Sequence, residues 1–261
     1  MIKLKPALLM GAAVLVVTHA GVIAGRSAKK GGESGKAEKK FEEDVIKTKT
    51  GDLKITFIGH GTLMFHYAGK VIHVDPVSRE ADYSRMPKAD LILVTHEHGD
   101  HLDPKVISML RTDETKVVLT KICAERIAGG IVMKNGDVRT VMGLKIEAVP
   151  AYNIVHKRPN GQPYHPKGSG NGYVVTFGKT RVYIAGDTEN IPEMKKLKKI
   201  DIAFLPMNVP YTMTPEMVAD AARAFEPKIL YPYHYGQTDP NKLVELLKDS
   251  KNIEVRIRKM R

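Results

Sequence analysis

The chain has 261 residues, of which 43% are hydrophobic and 27% charged, and it carries a formal net charge of +12. This length and composition suit a globular protein with one large core, and the single cysteine excludes an internal disulfide. Most of the positive excess lies towards the two ends of the chain, and no basic stripe is interleaved with aromatic residues. The charge therefore does not indicate a nucleic-acid-binding protein, but it suits an anionic membrane surface or an anionic substrate.

The first 24 residues have the layout of a secretory signal peptide. Two lysines precede the apolar run Ala7–Val17 and small residues follow it, so cleavage after Ala20 or Ala24 is expected. The stretch is also close to the shortest length that spans a bilayer, so an uncleaved membrane anchor is the alternative. We therefore expect an exported protein, periplasmic or extracellular, or one that is attached to the membrane by its N-terminus.

Residues 25–50 are rich in Gly, Ser, Lys and Glu and contain few apolar residues, which predicts a flexible charged linker. A weak helix over Lys36–Ile46 is the alternative within it. The remaining residues, 51–261, form the predicted domain. This domain begins with an antiparallel meander of three short strands separated by glycine turns: Leu53–Ile58, Leu63–Tyr67 and Val71–Val74.

The stretch Leu91–Asp103, LILVTHEHGDHLD, is the most informative part of the chain. Its apolar start predicts a strand buried on both faces, and the loops at the ends of such strands often carry functional sites. Four side chains that can bind a metal follow the strand directly: His96, His98, Asp100 and His101. Imidazole and carboxylate together suit zinc, iron and similar divalent ions. The two histidines of the H-x-H pair can point the same way while Asp100 and His101 diverge, so this loop can serve two neighbouring ions.

The elements after this loop continue the α/β pattern. A helix is predicted to begin at Pro104, with Asp103 as its N-cap, and the irregular segment Pro150–Asn171 is expected to carry function because of its length. The second half is predicted to contain strands Gly172–Phe177, Arg181–Ile184, Asp201–Leu205 and Lys228–Tyr231, and helices Met217–Phe225 and Asn241–Lys248.

The motif THEHGDH resembles the HxHxDH motif of the metallo-β-lactamase fold superfamily, and the family pattern can be followed from Asp52 to about Ile257. The resemblance implies an α/β fold, a four-layer αββα sandwich with metal ions at one edge of the sheets, which is consistent with a diverged duplication. The run YHPKGSGNGY is similar to a form found in ascorbate-6-phosphate lactonase-like and N-acylphosphatidylethanolamine phospholipase D-like hydrolases. In those proteins the histidine before Pro-Lys lies at the metal.

The resemblance also implies a ligand set for two ions. The first ion would be bound by His96, His98 and His165, the second by Asp100, His101 and His234, and Asp187 would bridge both. His156 competes with His165 for the third histidine, and the subgroup pattern favours His165. Asp75 would orient a ligand histidine. His60 would either face the site or only stabilise its turn, and Tyr211 would shape the substrate pocket.

We therefore expect a metal-dependent hydrolase with two divalent ions, zinc in the first place and manganese or iron as alternatives. A hydroxide activated by the ions would attack an ester, lactone, amide or phosphoester bond of a small anionic or lipid substrate, with Asp100 as a further proton acceptor. The alternatives are a phosphodiesterase acting on phospholipid or nucleic acid, a di-iron redox protein, and a binding protein without catalysis. No nucleic-acid partner is expected, and the sequence indicates neither the exact substrate nor the oligomeric state.

Overall fold

The computed structural model describes residues 40–261, which form fourteen strands, five α-helices and one short 3-10 helix. The elements of the first half are β1 Glu42–Thr48, β2 Gly51–Gly59, β3 Thr62–Tyr67, β4 Lys70–Val74, the 3-10 helix Tyr83–Arg85, β5 Leu91–Leu93, α1 Pro104–Leu110, β6 Lys116–Leu119, α2 Lys121–Ala124 and β7 Ile131–Val132. The elements of the second half are β8 Val138–Val141, β9 Leu144–Ala151, β10 Gly170–Phe177, β11 Thr180–Ile184, α3 Pro192–Lys195, β12 Ile202–Pro206, α4 Pro215–Phe225, β13 Ile229–Tyr233, α5 Asn241–Leu247 and β14 Glu254–Val255.

The strands form two seven-stranded sheets with the same topology. In the first sheet β1 to β4 are antiparallel neighbours, and β5, β6 and β7 follow in parallel. In the second sheet β8 to β11 are antiparallel, and β12, β13 and β14 follow in parallel. The two halves of the chain therefore repeat one arrangement, which agrees with the expected diverged duplication.

The two sheets pack face to face through large aromatic side chains. The ring of Phe57 in β2 lies 5.0 Å from that of Tyr231 in β13, and the ring of Phe65 in β3 lies 5.6 Å from that of Phe177 in β10. All four rings are buried. Aromatic pairs at these distances stabilise a core beyond the area that they bury. This core fixes the distance between the loops that the two halves contribute to one edge.

The helices cover the opposite faces of the sheets. Successive residues of a strand point to opposite faces, and in β5 Leu91 and Leu93 belong to the core between the sheets, whereas Ile92 packs in a separate cluster with Ile107 of α1. On the second sheet, α4 buries an apolar face that includes Phe225. The order is helix, sheet, sheet, helix, so the predicted four-layer αββα fold is confirmed.

Local sequence signals fix where the helices begin. Asp103 accepts hydrogen bonds through Oδ1 from the backbone N–H groups of Lys105 and Val106, at 3.0 and 3.2 Å, and Pro104 follows it in the first turn of α1. The predicted N-cap of α1 is confirmed. Because the cap residue Asp103 lies two residues after His101, it also holds the end of the histidine-rich loop.

The structure corrects the prediction of a linker over residues 25–50. Its last part, Glu42–Thr48, is strand β1, which pairs with β2 along its full length, so neither a flexible tether nor the alternative helix is correct there. The charged composition concealed the strand because its carboxylates have specific partners. Asp44 is hydrogen-bonded to Tyr231 and lies 2.7 Å from the guanidinium of Arg258.

The predicted signal peptide or membrane anchor, residues 1–24, and the first part of the linker lie outside the described residues. No helix within residues 40–261 combines the length and the apolar character needed to cross a bilayer.

Candidate metal centre

The structure brings the seven predicted ligand residues together at one edge of the two sheets. The histidine-rich loop follows β5, Asp187 follows β11, and His234 follows β13, while His165 lies in the long connection between β9 and β10. Their ligand atoms, together with that of His60, form three overlapping groups in which all atoms lie within 4.8 Å of one another: His96, His98 and His165; His60, Asp100, His101 and His234; and His96, His101 and Asp187.

The first group contains three imidazoles. The Nε2 atom of His165 lies 3.2 Å from Nδ1 of His98, and it lies 3.3 Å from Oδ2 of Asp187. His96 approaches the same carboxylate oxygen through Nε2 at 3.8 Å. His96 and His165 are buried, whereas His98 is partly exposed and lines a cavity. Three nitrogen atoms thus converge on one point beside Asp187.

The second group is formed around Asp100. Its Oδ2 atom lies 3.7 Å from Nε2 of His234, 4.0 Å from Nε2 of His101 and 3.2 Å from Nε2 of His60. His60 also packs its ring on that of His234, with 3.7 Å between the centroids. The ring of His60 therefore lies against the second group, the first of the two positions considered for it.

Asp187 lies between the two groups. Its Oδ1 is 3.4 Å from Nε2 of His101, and its Oδ2 is 3.4 Å from Nε2 of His234 and close to the histidines of the first group. Burial alone would raise the pKa of this carboxyl, but the surrounding imidazoles of His234, His101 and His165 hold the pKa well below its usual value. Asp187 is thus a buried carboxylate that can contribute one oxygen to each side.

Hydrogen bonds fix the orientation of three imidazoles. His101 donates from Nδ1 to Oδ2 of Asp75 at 2.8 Å, and His96 Nδ1 lies 3.0 Å from Oγ1 of Thr95, which donates to Asp75 at 2.6 Å. His165 donates from Nδ1 to Oδ1 of Asn153 at 2.8 Å. With the proton on Nδ1, each ring presents the lone pair of Nε2 to the centre, the state in which histidine binds a metal.

The polar atoms at the centre test whether this site fits a metal ion. Within residues 40–261, Nε2 of His96, His101 and His234 and Oδ1 of Asp187 are buried without a hydrogen-bond partner. Buried polar atoms are rarely left unpaired, because their desolvation is not compensated. Five imidazoles and two carboxylates are donors that suit borderline divalent ions. The residues therefore fit metal ions.

The backbone of the site is strained at three residues other than glycine. His60, Asp75 and His234 have φ angles of 52°, 44° and 47°, in the left-handed region that such residues rarely adopt. Strain of this kind persists only where the surrounding structure enforces it, and it is common at functional sites. Beside His60, a Cβ atom at Gly61 would lie 2.7 Å from Cε1 of His101, so the close approach of this turn requires glycine.

The structure separates the two histidines that compete in the long loop. His165 lies in the cluster, whereas the imidazole of His156 lies beside Glu189, with 2.8 Å between Nδ1 and Oε1, and its backbone N–H donates to the same oxygen. Sequence reasoning missed Asn153, whose Oδ1 accepts from both N and Nδ1 of His165 and whose Nδ2 donates to Glu189 Oε1 and to the carbonyl of Tyr211. No local pattern marks this asparagine, because its partners lie 12 to 58 residues away.

A cavity of about 470 Å³ opens beside the two groups. Its lining includes ligand candidates together with residues from two loops of the second half: His98, Gly99, Asp100, Arg158, Tyr164, His165, Asp187, Asn208, Tyr211 and His234. Tyr211 lines it and is 46% exposed. Arg158, Tyr164 and Asn208 were not predicted. The cavity gives a small molecule direct access to the centre of the cluster.

Comparison with known proteins places this geometry in a family. The model of the beta-lactamase superfamily domain matches residues 54–234. A UPF0173 metal-dependent hydrolase of Methanopyrus kandleri is 33% identical over 72% of this chain and 86% of its own length, and one of Nanoarchaeum equitans is 32% identical over 70% and 84%. The crystal structure of a candidate metal-dependent hydrolase from Parabacteroides distasonis is 55% identical, covers 85% of this chain and all of its own, and superimposes with a TM-score of 0.81.

These relatives correct the prediction of a periplasmic protein with a signal peptide. The similarity to these relatives concerns the hydrolase domain. In the two archaeal proteins this domain makes up most of the chain, 86% and 84% of their length. The domain is therefore not tied to the periplasm of a bacterium, and we reject the periplasmic assignment.

The finer subgroup expected from the run YHPKGSGNGY is not confirmed, because the curated relatives carry the name UPF0173. The superfamily and its metal dependence are established by the length of the match and by the identity to these relatives. The chain belongs to the metallo-β-lactamase superfamily and, within it, to the UPF0173 metal-dependent hydrolases.

Proposed function

We propose that the protein hydrolyses an ester, lactone, amide or phosphoester bond of a small molecule with the help of two divalent metal ions. The observation that carries this proposal is the set of buried, unpaired nitrogen and oxygen atoms, Nε2 of three histidines and Oδ1 of Asp187, that point to one centre beside an open cavity. A cation on each side of Asp187 would satisfy these atoms.

We assign the ligands as follows: His96, His98 and His165 hold one ion, Asp100, His101 and His234 hold the other, and Asp187 contacts both. Two such ions supply Lewis-acid chemistry, which lowers the pKa of a water and polarises the bond that is attacked. Zinc is the ion that a set of five imidazoles and two carboxylates favours, with manganese and iron as alternatives.

The chain itself contributes orientation and access. Asp75 and Asn153 hold the imidazoles of His101 and His165, and the cavity admits the substrate. Burial raises the pKa of Asp100, but its contacts with His234, His60 and His101 lower that pKa strongly, so Asp100 is a weak base. We therefore propose that the main role of Asp100 is that of a ligand to the second ion, and that its role as a proton acceptor is secondary.

Metal analysis and a substrate panel test the proposal together. Purified protein should contain about two ions per chain, and it should hydrolyse at least one class among p-nitrophenyl esters, lactones and bis-p-nitrophenyl phosphate. The variant His98→Ala should lose an ion and the activity. His66→Gln, a change of a histidine in β3 outside the ligand groups, is the matched control and should keep both. Full activity in His98→Ala would remove this site from consideration.

A further inference from the structure

Arg158 lines the cavity beside the metal-binding residues without an acidic partner. Within residues 40–261, no carboxylate lies within ion-pair distance of its guanidinium, and Arg158 is the one Arg or Lys among the lining residues. Its Nη2 donates to the carbonyl of Tyr164 at 3.3 Å, and the guanidinium lies over the Tyr164 ring, 5.0 Å from the centroid. Most of the donors of this permanently charged group are therefore available to a ligand.

Two tyrosine rings stand next to this cation. Tyr164 packs edge to face against Tyr211, with 5.0 Å between centroids, and both rings line the same cavity. Tyr211 comes from the loop after β12, so the ring pair joins the two loops that border the opening. The mouth of the cavity thus combines a cation with flat apolar surfaces that can pack against the body of a substrate.

The loop that carries Arg158 is held in place before any ligand binds. The backbone of Arg158 donates to the carbonyl of Gln162 at 2.7 Å and accepts from Gly161 at 2.9 Å, which closes a tight turn. Three successive residues shortly before this turn are also held. The backbone N–H groups of Ile154, Val155 and His156 donate hydrogen bonds to the buried carboxylate of Glu189. A cation on a loop anchored in this way loses little entropy when it binds an anion.

We propose that the substrate carries an anionic group apart from the bond to be cleaved, a carboxylate or a phosphate, which Arg158 binds while that bond lies at the metal ions. This inference rests on the proposed function for the position of that bond. The planar guanidinium fork matches the oxygens of carboxylate and phosphate, and it discriminates between charged and neutral substrates of equal length. Arg158 is thus a residue that determines specificity, and the substrate is a small dianion or a monoanionic ester.

A binding experiment tests Arg158 independently of hydrolysis. Butyrate and glutarate are titrated calorimetrically into the zinc-loaded protein, because both carry one carboxylate for the ions and only glutarate carries a second. Wild type should bind glutarate about tenfold more tightly, the effect of one hydrogen-bonded charge pair. Arg158→Gln should lose this preference, Arg158→Lys should keep part of it, and the control Arg139→Gln, an exposed arginine in β8, should keep all of it. Equal affinities in wild type, or an unchanged preference in Arg158→Gln, would overturn the proposal.

Hydrolysis separates this inference from the proposed function. Mono-p-nitrophenyl glutarate is an anionic ester, and p-nitrophenyl butyrate is its neutral counterpart. In Arg158→Gln the preference for the anionic ester, measured as the ratio of the two kcat/KM values, should fall about tenfold, because the KM of the anionic ester rises. If wild type cleaves neither ester but prefers glutarate through Arg158, the choice of scissile bond is wrong and the anion site stands. Titration with 4-phosphonobutyrate then distinguishes the two anions. If wild type binds this compound more tightly than glutarate, and Arg158→Gln loses the difference, the group that Arg158 binds is a phosphate.

Discussion

At the scale of single residues, Asp75 determines the geometry of the site without being one of its proposed ligands. It is completely buried and accepts hydrogen bonds from His101 Nδ1 and from both the backbone N–H and the hydroxyl of Thr95. Thr95 in turn contacts His96, so one carboxylate orients a histidine of each ligand group. Buried carboxylates of this kind raise the basicity of the histidines that they contact.

The variant Asp75→Asn should therefore weaken metal binding although no proposed ligand is changed. An amide can accept one of these hydrogen bonds but presents a donor where His101 also donates, so we expect the zinc affinity to fall by about 10- to 100-fold. Competition with a chromogenic chelator measures it. Asp52→Asn, at an exposed position on β2, is the control and should have wild-type affinity. Equal affinities in the two variants would show that Asp75 has only a structural role.

The two histidines of the long loop give a second prediction at this scale. His165→Ala should lose an ion and all activity, because its Nε2 lies 3.3 Å from Oδ2 of Asp187, whereas His156→Ala should keep the metal content of wild type, because its imidazole lies beside Glu189 and outside the ligand groups. Metal analysis of both variants decides between them. Loss of metal from His156→Ala alone would reverse the assignment.

Residues differ in how far the sequence reveals them. The ligands around His96 are visible because they follow a buried strand at fixed spacing, and His165 is visible through its resemblance to a known run. Asn153 and Arg158 are not, since their importance depends on contacts with Tyr211 and Tyr164 that only the folded loops create. Residue type and spacing predict what can bind a metal, but not which surface residue will face it.

At the scale of elements, β1 shows how composition misleads. Its sequence, EEDVIKT, is as charged as the segment before it, but Asp44 in the middle of the strand connects the first sheet to the second. Its carboxylate is hydrogen-bonded to Tyr231 in β13 and makes a bidentate contact with Arg258 near the C-terminus. The strand forms because these distant partners are available, which no local pattern contains.

Asp44→Asn should lower the free energy of unfolding by about 1.5–3 kcal/mol at neutral pH, the contribution of hydrogen bonds to a charged group. Burial raises the pKa of Asp44, but Tyr231 and Arg258 outweigh this and lower the pKa. Its stabilisation is therefore present above the unfolded pKa of about 3.9 and is lost as the pH falls through the lower folded pKa. Urea unfolding of wild type and variant should differ at pH 7 and converge at low pH. A difference that persists in strong acid would contradict the role of charge.

At the scale of the whole molecule, the repeated topology places equivalent carboxylates in the two halves. Asp75 follows β4, and Asp187 follows β11, the strand in the same position of the second sheet. The turn with His60 and the loop with His165 likewise connect equivalent strand pairs. One half thus supplies the carboxylate that orients histidines and the other supplies the carboxylate between the ligand groups. The site consequently depends on the packing of both sheets, which Phe57 and Tyr231 maintain.

Because the proposed ligands come from both halves, metal removal should destabilise the entire fold. A chelator should lower the melting temperature, and zinc at about 100 times its dissociation constant should restore about 2.7 kcal/mol of stability, which corresponds to roughly 5–10 °C for a domain of this size. Magnesium, which prefers oxygen ligands, should restore much less. His98→Ala should show a smaller response to zinc than wild type, since one side of the site is incomplete. A wild-type melting temperature that stays constant while zinc is shown to bind would mean that zinc binds the unfolded chain as tightly as the folded one, which would contradict a site that the fold assembles from both halves.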